Sequence, residues 1–242
     1  RREERYPSFT ALLEDFRKIR YRRLRHKNKE EYELQAVLGR GGFGEVFKAR
    51  RVSDGLPVAV KYLFAEKQSE RFLREAKILH QYPHPNLVKY VDFMVLKGTG
   101  GEKQYFLVME FLEGMPGWTL RHRIKNEGGL DVAEVVPLFS NYLGALQFLH
   151  NSARPIIHRD IKPGNLYAPM GQPDKAKIFD LGVARDVSGT VTVGGVPGTL
   201  DYMAPEFAEA GGDRGSPQSD LYALGLCLYE ALTGKPVFER LP

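Results

Sequence analysis

Four glycines crowd into Gly39-Arg-Gly41-Gly42-Phe43-Gly44, and the residues after them limit the fold more than any other feature of the chain. Gly39, Gly41 and Gly44 fit G-x-G-x-x-G, a spacing shared with turns that open a helix onto a dinucleotide. Here Glu45-Val46-Phe47-Lys48-Ala49 continues as strand, so the glycines form a hairpin tip and the dinucleotide reading fails. Without a Cβ in the way, backbone N–H groups at such a tip can closely approach a polyphosphate. The runs on either side, from Tyr32 to Leu38 and from Val58 to Leu63 after the Asp54-Gly55 turn, are short and rich in β-branched residues. An antiparallel sheet follows from that pattern.

Beyond Leu63 the period changes. Residues 66–80 place Phe72, Ala76 and Leu79 at helical spacing, with Glu75 between them. Strands are expected around Leu87–Phe93 and Tyr105–Glu110, joined by a Gly/Lys-rich loop, and E-F-L-E-G-M-P-G-W reads as a linker. Residues 131–150 form a long apolar-faced helix, with Pro137 either in its first turns or kinking it. A second apolar helix runs from Asp220 to Leu232, after a Gly/Thr/Val stretch with little periodicity. No internal repeat is present. Strands first and helices later make an α+β chain.

Charge is unevenly placed. The net charge is +5, but residues 1–29 hold 11 Lys/Arg against 4 Asp/Glu, so the remainder is slightly acidic. Phe9, Leu12, Leu13, Phe16 and Ile19 make one helical face behind a possible Ser8 cap, and Arg17–Lys29 holds eight Lys/Arg and no acidic residue. The bland reading is a flanking helix that solvates its charges. The alternative is docking to an anionic partner: nucleic acid, lipid surface or acidic protein. With 43% apolar and 27% charged residues the composition is that of a soluble globular chain. No uninterrupted run of roughly eighteen apolar residues suggests a membrane span, and the Arg-rich start lacks a signal peptide's apolar core. The single cysteine, Cys227, sits in an apolar run and reads as core, which leaves no disulfide or cysteine-based zinc site.

The chemistry concentrates in Ile156–Asn165, I-I-H-R-D-I-K-P-G-N. Five polar side chains follow an apolar pair on one irregular loop, the arrangement of a reaction centre on a rigid scaffold.

Taken in order, these motifs resemble the eukaryotic-like Ser/Thr protein kinase domain over roughly residues 32–238. The matching residues are Gly39-x-Gly41-x-x-Gly44-x-Val46, Val58-Ala-Val-Lys61, Glu75 within R-E-A-K-I-L, His158-Arg-Asp160 through Asn165, Asp180-Leu-Gly and Ala204-Pro-Glu206. The resemblance implies a bilobal fold: residues 1–31 a basic flank, 32–109 an antiparallel N-lobe with one key helix, 110–113 a hinge, and 114–242 a mainly helical C-lobe. It also implies that this C-lobe lacks its last helices, leaving apolar surface exposed and Glu206 without its usual arginine.

The implied activity is transfer of the γ-phosphate of ATP to Ser/Thr hydroxyls with Mg²⁺, for which Mn²⁺ can substitute. Asp160 would take the hydroxyl proton, Lys162 meet the transferring phosphate, and Lys61, countered by Glu75, meet the other phosphates. Asn165 and Asp180 offer hard oxygen ligands for the metal. Gly39, Gly41, Gly42, Phe43, Gly44, Val46, Ala59, Met109, Glu110, Leu112 and Tyr167 would enclose the nucleotide. Tyr167 stands where an aliphatic residue is usual, and Met109 guards the rear of the pocket. His158 is expected to pack with Leu79, Tyr90 and Leu181. Thr199 joins Lys162 as a mark of Ser/Thr specificity. Arg159, Arg71 and Arg185 would gather a phosphate placed on Ser188, Thr190 or Thr192.

Three departures stand out. Leu181 replaces the usual phenylalanine after the metal-binding aspartate. Gly164 stands where kinases preferring basic substrates carry a glutamate, although Glu230, the other half of that pair, remains. The third is the early end of the chain. The competing reading is a pseudokinase-like scaffold that binds nucleotide or partners without transfer; such scaffolds usually lose one of Lys61, Glu75, Asp160, Asn165 and Asp180. A cytoplasmic setting and a protein substrate are the expected context.

Overall fold

Alternation decides the first unit. In the computed structural model, which describes residues 23–25, 30–41, 44–63, 69–97, 103–181, 185–186, 200–207 and 215–238, six strands form one antiparallel sheet. They are β1 (Arg23–Arg25), β2 (Glu31–Gly41), β3 (Gly44–Arg51), β4 (Pro57–Leu63), β5 (Tyr90–Lys97) and β6 (Lys103–Glu110), in the order β1-β2-β3-β4-β6-β5. Leu34, Phe47, Ala49, Val58, Val60, Met94, Phe106 and Val108 all point to one face and bury a common core. Burial of that face is what pins the register, since a one-residue slip would turn every side chain outward. Two bulges in β2, between Leu34 and Ala36 and between Val37 and Gly39, interrupt its pairing with β3.

The flank departs from expectation at β1. Residues 23–25 lie within the stretch read as a basic helix or flank, yet they pair with Glu31–Glu33 as an edge strand. The alternation R-L-R explains this: Leu24 enters the core while Arg23 and Arg25 face outward toward Glu31. The helical face expected at Phe9–Ile19 lies outside the described residues.

The second unit is mainly helical: α1 (Ser69–Gln81), α2 (Leu120–Glu127), α3 (Val132–His150) and α4 (Pro217–Thr233). It comprises Glu70–Lys89 and the chain from Leu112 on, whereas the sheet unit holds the residues up to Ser69 and Tyr90–Phe111. Each long helix has a chemical start and stop. Asp131 caps α3 by accepting from Ala133 N, and Ser216 and Ser219 form a reciprocal capping box on α4 with Pro217 in its first turn. Gly234 ends α4 in the left-handed conformation, φ 73°, which glycine adopts without Cβ strain. Pro137 stays inside α3, where its helix continues, and its carbonyl accepts from the Asn141 amide at 3.1 Å.

α3 is long and apolar enough, by length and composition, to cross a membrane. Its face of Val135, Leu138, Phe139, Tyr142, Leu146 and Leu149 is buried, as in the core helix of a globular unit. Leu221, Tyr229, Leu232, Val237 and Phe238, on α4 and just after it, are exposed.

Leu87 was expected to open a strand. It instead makes a parallel bridge to Ile178 in β9 (Lys177–Ile178), and the strand begins at Tyr90. Asn86 explains the difference, since its side chain donates to Ala176 O at 2.8 Å and its carbonyl accepts from Ile178 N at 2.8 Å.

Candidate functional site

The reaction loop begins where two apolar residues leave the core. Ile156–Ile157 form β7, paired antiparallel with β10 (Arg185–Asp186). Beyond them the chain turns away from β geometry, and the freed backbone donors need acceptors. Asp220, in the first turn of α4 and 1% exposed, supplies them. Its Oδ2 accepts from His158 N and its Oδ1 from Arg159 N, both at 2.8 Å. His150 Nε2, at the end of α3, lies 2.8 Å from the same Oδ2. One carboxylate therefore ties the end of α3, the start of the loop and α4 together. Arg159 sits at φ 66°, a left-handed conformation costly for a residue with a Cβ and retained where the surroundings hold it.

That kink presents Asp160. Its carboxylate takes Lys162 Nζ at 2.8 and 3.0 Å, and its backbone N–H donates to His158 Nδ1 at 3.3 Å. His158 is wholly buried, as are Leu79 and Leu181, and its Nε2 has no hydrogen-bond partner among the described residues. The buried ring braces the backbone of Asp160. Pro163 starts a single 3-10 turn over Pro163–Asn165, which brings the Asn165 amide back onto Asp160: Nδ2 donates to Asp160 O at 2.8 Å and to Oδ2 at 2.9 Å. With both N–H groups so used, the carbonyl oxygen of Asn165 is the atom left for a cation.

Asp180 arrives from the other side of a small hairpin. β8 (Leu166–Tyr167) follows Asn165 directly and pairs with β9, two residues before Asp180, whose φ is 64°. Burial holds the Asp160 carboxyl above the usual carboxylate range; Lys162 pulls it down, and the charge of Asp180 pushes it further up. A second carboxylate close enough to raise the first, beside an amide oxygen, favours a cation between them. Among the described residues no cluster of three or more His, Cys, Asp or Glu that could hold a metal is present. A sparse set of hard oxygens fits an ion that keeps waters and binds substrate phosphates, as Mg²⁺ does.

In the sheet unit the expected nucleotide residues share one face. Register pairs Gly39 with Val46, Val46 with Lys61, Lys48 with Ala59 and Ala59 with Met109, all opposite the sheet's own core. Gly44 has a local reason to be glycine, because a Cβ there would lie 2.0 Å from Tyr62 O, whereas a Cβ on Gly39 would meet nothing within 4 Å. The ladder closes at Gly41 opposite Gly44, and Arg40 pairs with the buried Glu45 across it. Glu110 ends β6, while Leu112, in the other unit, is buried. Glu75 is buried on α1, and Lys61 lies mid-strand on β4.

Tyr167 is buried, and its hydroxyl donates to Glu113 O at 2.8 Å, which gives the tyrosine a local role at a position where an aliphatic side chain is usual. Gly42, Phe43, Ser188, Thr190, Thr192 and Thr199 lie outside the described residues, and Arg71 and Arg185 are placed by backbone only.

Sequence reasoning missed Asp220, His150 and Arg121. Asp220 is one acid in an apolar helix, with no local pattern to mark it. Arg121 belongs to α2, a short polar helix whose only sequence signal is the Thr119 cap.

A loop acid braced by a lysine and an asparagine, with a second acid on the adjoining hairpin, defines a site for handling phosphoryl groups. The chain belongs to the protein kinase family: the protein kinase domain matches residues 32–241. Similar proteins include serine/threonine-protein kinase pkn3 of Myxococcus xanthus, 35% identical, and probable serine/threonine-protein kinase PknB of Bifidobacterium longum, 38% identical. Serine/threonine-protein kinase PknA of Mycobacterium tuberculosis is 37% identical. Each alignment covers 86% of this chain but only 39%, 31% and 48% of the respective relative, so the chain spans less than half the length of these curated relatives.

Proposed function

We propose that this domain transfers the γ-phosphate of ATP to Ser/Thr hydroxyls of protein substrates. The observation that carries this reading is the state of Asp160: buried, oriented by Asn165, paired with Lys162, and on a loop fastened to α4 through Asp220. Asp160 accepts the proton of the incoming hydroxyl as its oxygen attacks phosphorus and the bond to the departing diphosphate breaks. Lys162 balances charge on the moving group. A divalent cation, Mg²⁺ with Mn²⁺ as a substitute, would be held by Asn165 and Asp180 and would supply charge neutralisation between phosphates.

Lys61 and Glu75 keep the roles the family resemblance implies, and Gly39, Val46, Ala59 and Met109 line the nucleotide's face of the sheet. Gly41, Gly42, Phe43, Gly44, Glu110, Leu112 and Tyr167 complete the nucleotide set, and Thr199 the Ser/Thr-type acceptor site. A reaction that consumes ATP suits the cytoplasm, and we place the domain there.

The test is transfer of labelled phosphate from ATP to a generic protein substrate by the full-length protein and its Asp160→Asn variant. Loss of signal in the variant is expected; equal signals would remove the enzyme reading and leave a nucleotide-binding scaffold. Regulation by phosphorylation of Ser188, Thr190 or Thr192, read by Arg159, Arg71 and Arg185, belongs to the same proposal. Replacing all three acceptors by alanine should lower activity, and undiminished transfer would dismiss this control.

A further inference from the structure

Arg121 stands in the first turn of α2, solvent-exposed, beside the reaction loop. Its guanidinium lies 5.9 Å from the centroid of the Tyr202 ring and its Nη2 3.4 Å from the Tyr202 hydroxyl oxygen. Its Nε is 3.6 Å from the point where a Cβ on Gly164 would be, and Gly164 follows Asp160 by four residues in the turn that positions Asn165. The cation is therefore held at the edge of the loop that bears the proposed proton acceptor.

The neighbouring carboxylate is turned inward. Glu230 is 8% exposed and accepts the hydroxyl hydrogen of Tyr202, the residue that Arg121 lies beside. Among the described residues Arg121 forms no ion pair, so its charge remains available to an incoming group. Gly164 contributes no side chain that could occupy the fork. A glutamate there would reach Arg121 and cancel it, so the glycine keeps the arginine open.

We propose that Arg121 is a specificity-determining residue that selects acceptor peptides carrying an aspartate or glutamate close in sequence to the phosphorylated Ser or Thr. This rests on the kinase reading above. A planar guanidinium donates two parallel N–H bonds to a carboxylate, and its contact with the Tyr202 hydroxyl steers it before the peptide arrives. A peptide with a lysine or arginine at the same position meets like charge instead, so selection works by repulsion as well as attraction.

The experiment is a position-scanned library of Ser/Thr peptides with Mg-ATP, comparing the full-length protein with Arg121→Glu and, separately, Gly164→Glu. The wild type should favour Asp or Glu over Ala by about tenfold at one position near the acceptor. Arg121→Glu should reverse that preference toward Lys or Arg at the same position. Gly164→Glu, whose Cβ has room, should flatten it by supplying an internal partner for Arg121. A wild type without acidic preference, or variants that retain it unchanged, overturns this inference and leaves the kinase reading standing. A wild type that phosphorylates neither peptide nor protein overturns both.

Discussion

Replacing Asp220 by alanine tests whether the reaction loop is held from α4. The carboxylate accepts two buried backbone N–H groups at 2.8 Å and has His150 Nε2 at the same distance. Each buried donor left without an acceptor costs about 1–3 kcal/mol, and the lost His150 contact adds about 1. The left-handed Arg159 loses the bond that holds it there, freeing about 1–2 kcal/mol of strain as the loop relaxes. The net expected cost is roughly 1–6 kcal/mol, a substantial share of a typical domain's stability of about 5–15 kcal/mol. Asp220→Asn keeps the shape and one acceptor while turning an NH₂ toward the other donor, so about half that cost is expected. Urea unfolding measures the stability, and phosphate transfer measured under conditions where the asparagine variant remains folded measures the loop. Its kcat should drop by at least about tenfold, the effect of some 1.4 kcal/mol on the barrier, with little change in the KM for ATP. Wild-type urea midpoints and kcat in the asparagine variant would refute the reasoning.

Three further outcomes follow from the geometry. Gly44→Ala should destabilise the sheet unit by about 1–3 kcal/mol, because the added carbon meets the Tyr62 carbonyl, while Gly39→Ala leaves the unfolding midpoint close to wild type. Arg123, 2% exposed and bonded to both Glu127 and Glu134, should cost about 3 kcal/mol when cut to alanine and roughly half that as methionine, which keeps the packing; urea midpoints decide it. The Asp54 carboxyl is held at about 2, first by the Arg51 guanidinium and then by Leu56 N–H. A depressed folded-state value gives stability that is present above the ordinary carboxylate range and lost as pH falls toward about 2, so urea midpoints of Asp54→Asn should fall less steeply than wild type below about pH 5.

What could be read from the sequence was whatever has a local cause. Alternation in 32–63 showed the strands, the spacing around Glu75 and along 131–150 showed the helices, and the order of motifs showed the reaction loop. The missed features have distant or weak causes. Asp220 works through backbone donors some sixty residues away, so no local pattern records it. β1 is three residues long with arginine on both sides of its single core residue, which reads as basic flank until β2 lies beside it. The bulges in β2 come from pairing with β3, and a single strand's alternation carries no sign of its partner. Arg121 acquires its meaning from Tyr202 and Gly164, which only the folded chain brings to it.

The capping box of α4 has a consequence for control of the site. Ser216 and Ser219 wind the turn that carries Asp220, so the surface-facing start of one helix sets the tension on the loop that carries Asp160. Transfer therefore depends on that turn staying wound. Fraying it would slacken the loop without touching nucleotide, metal or peptide.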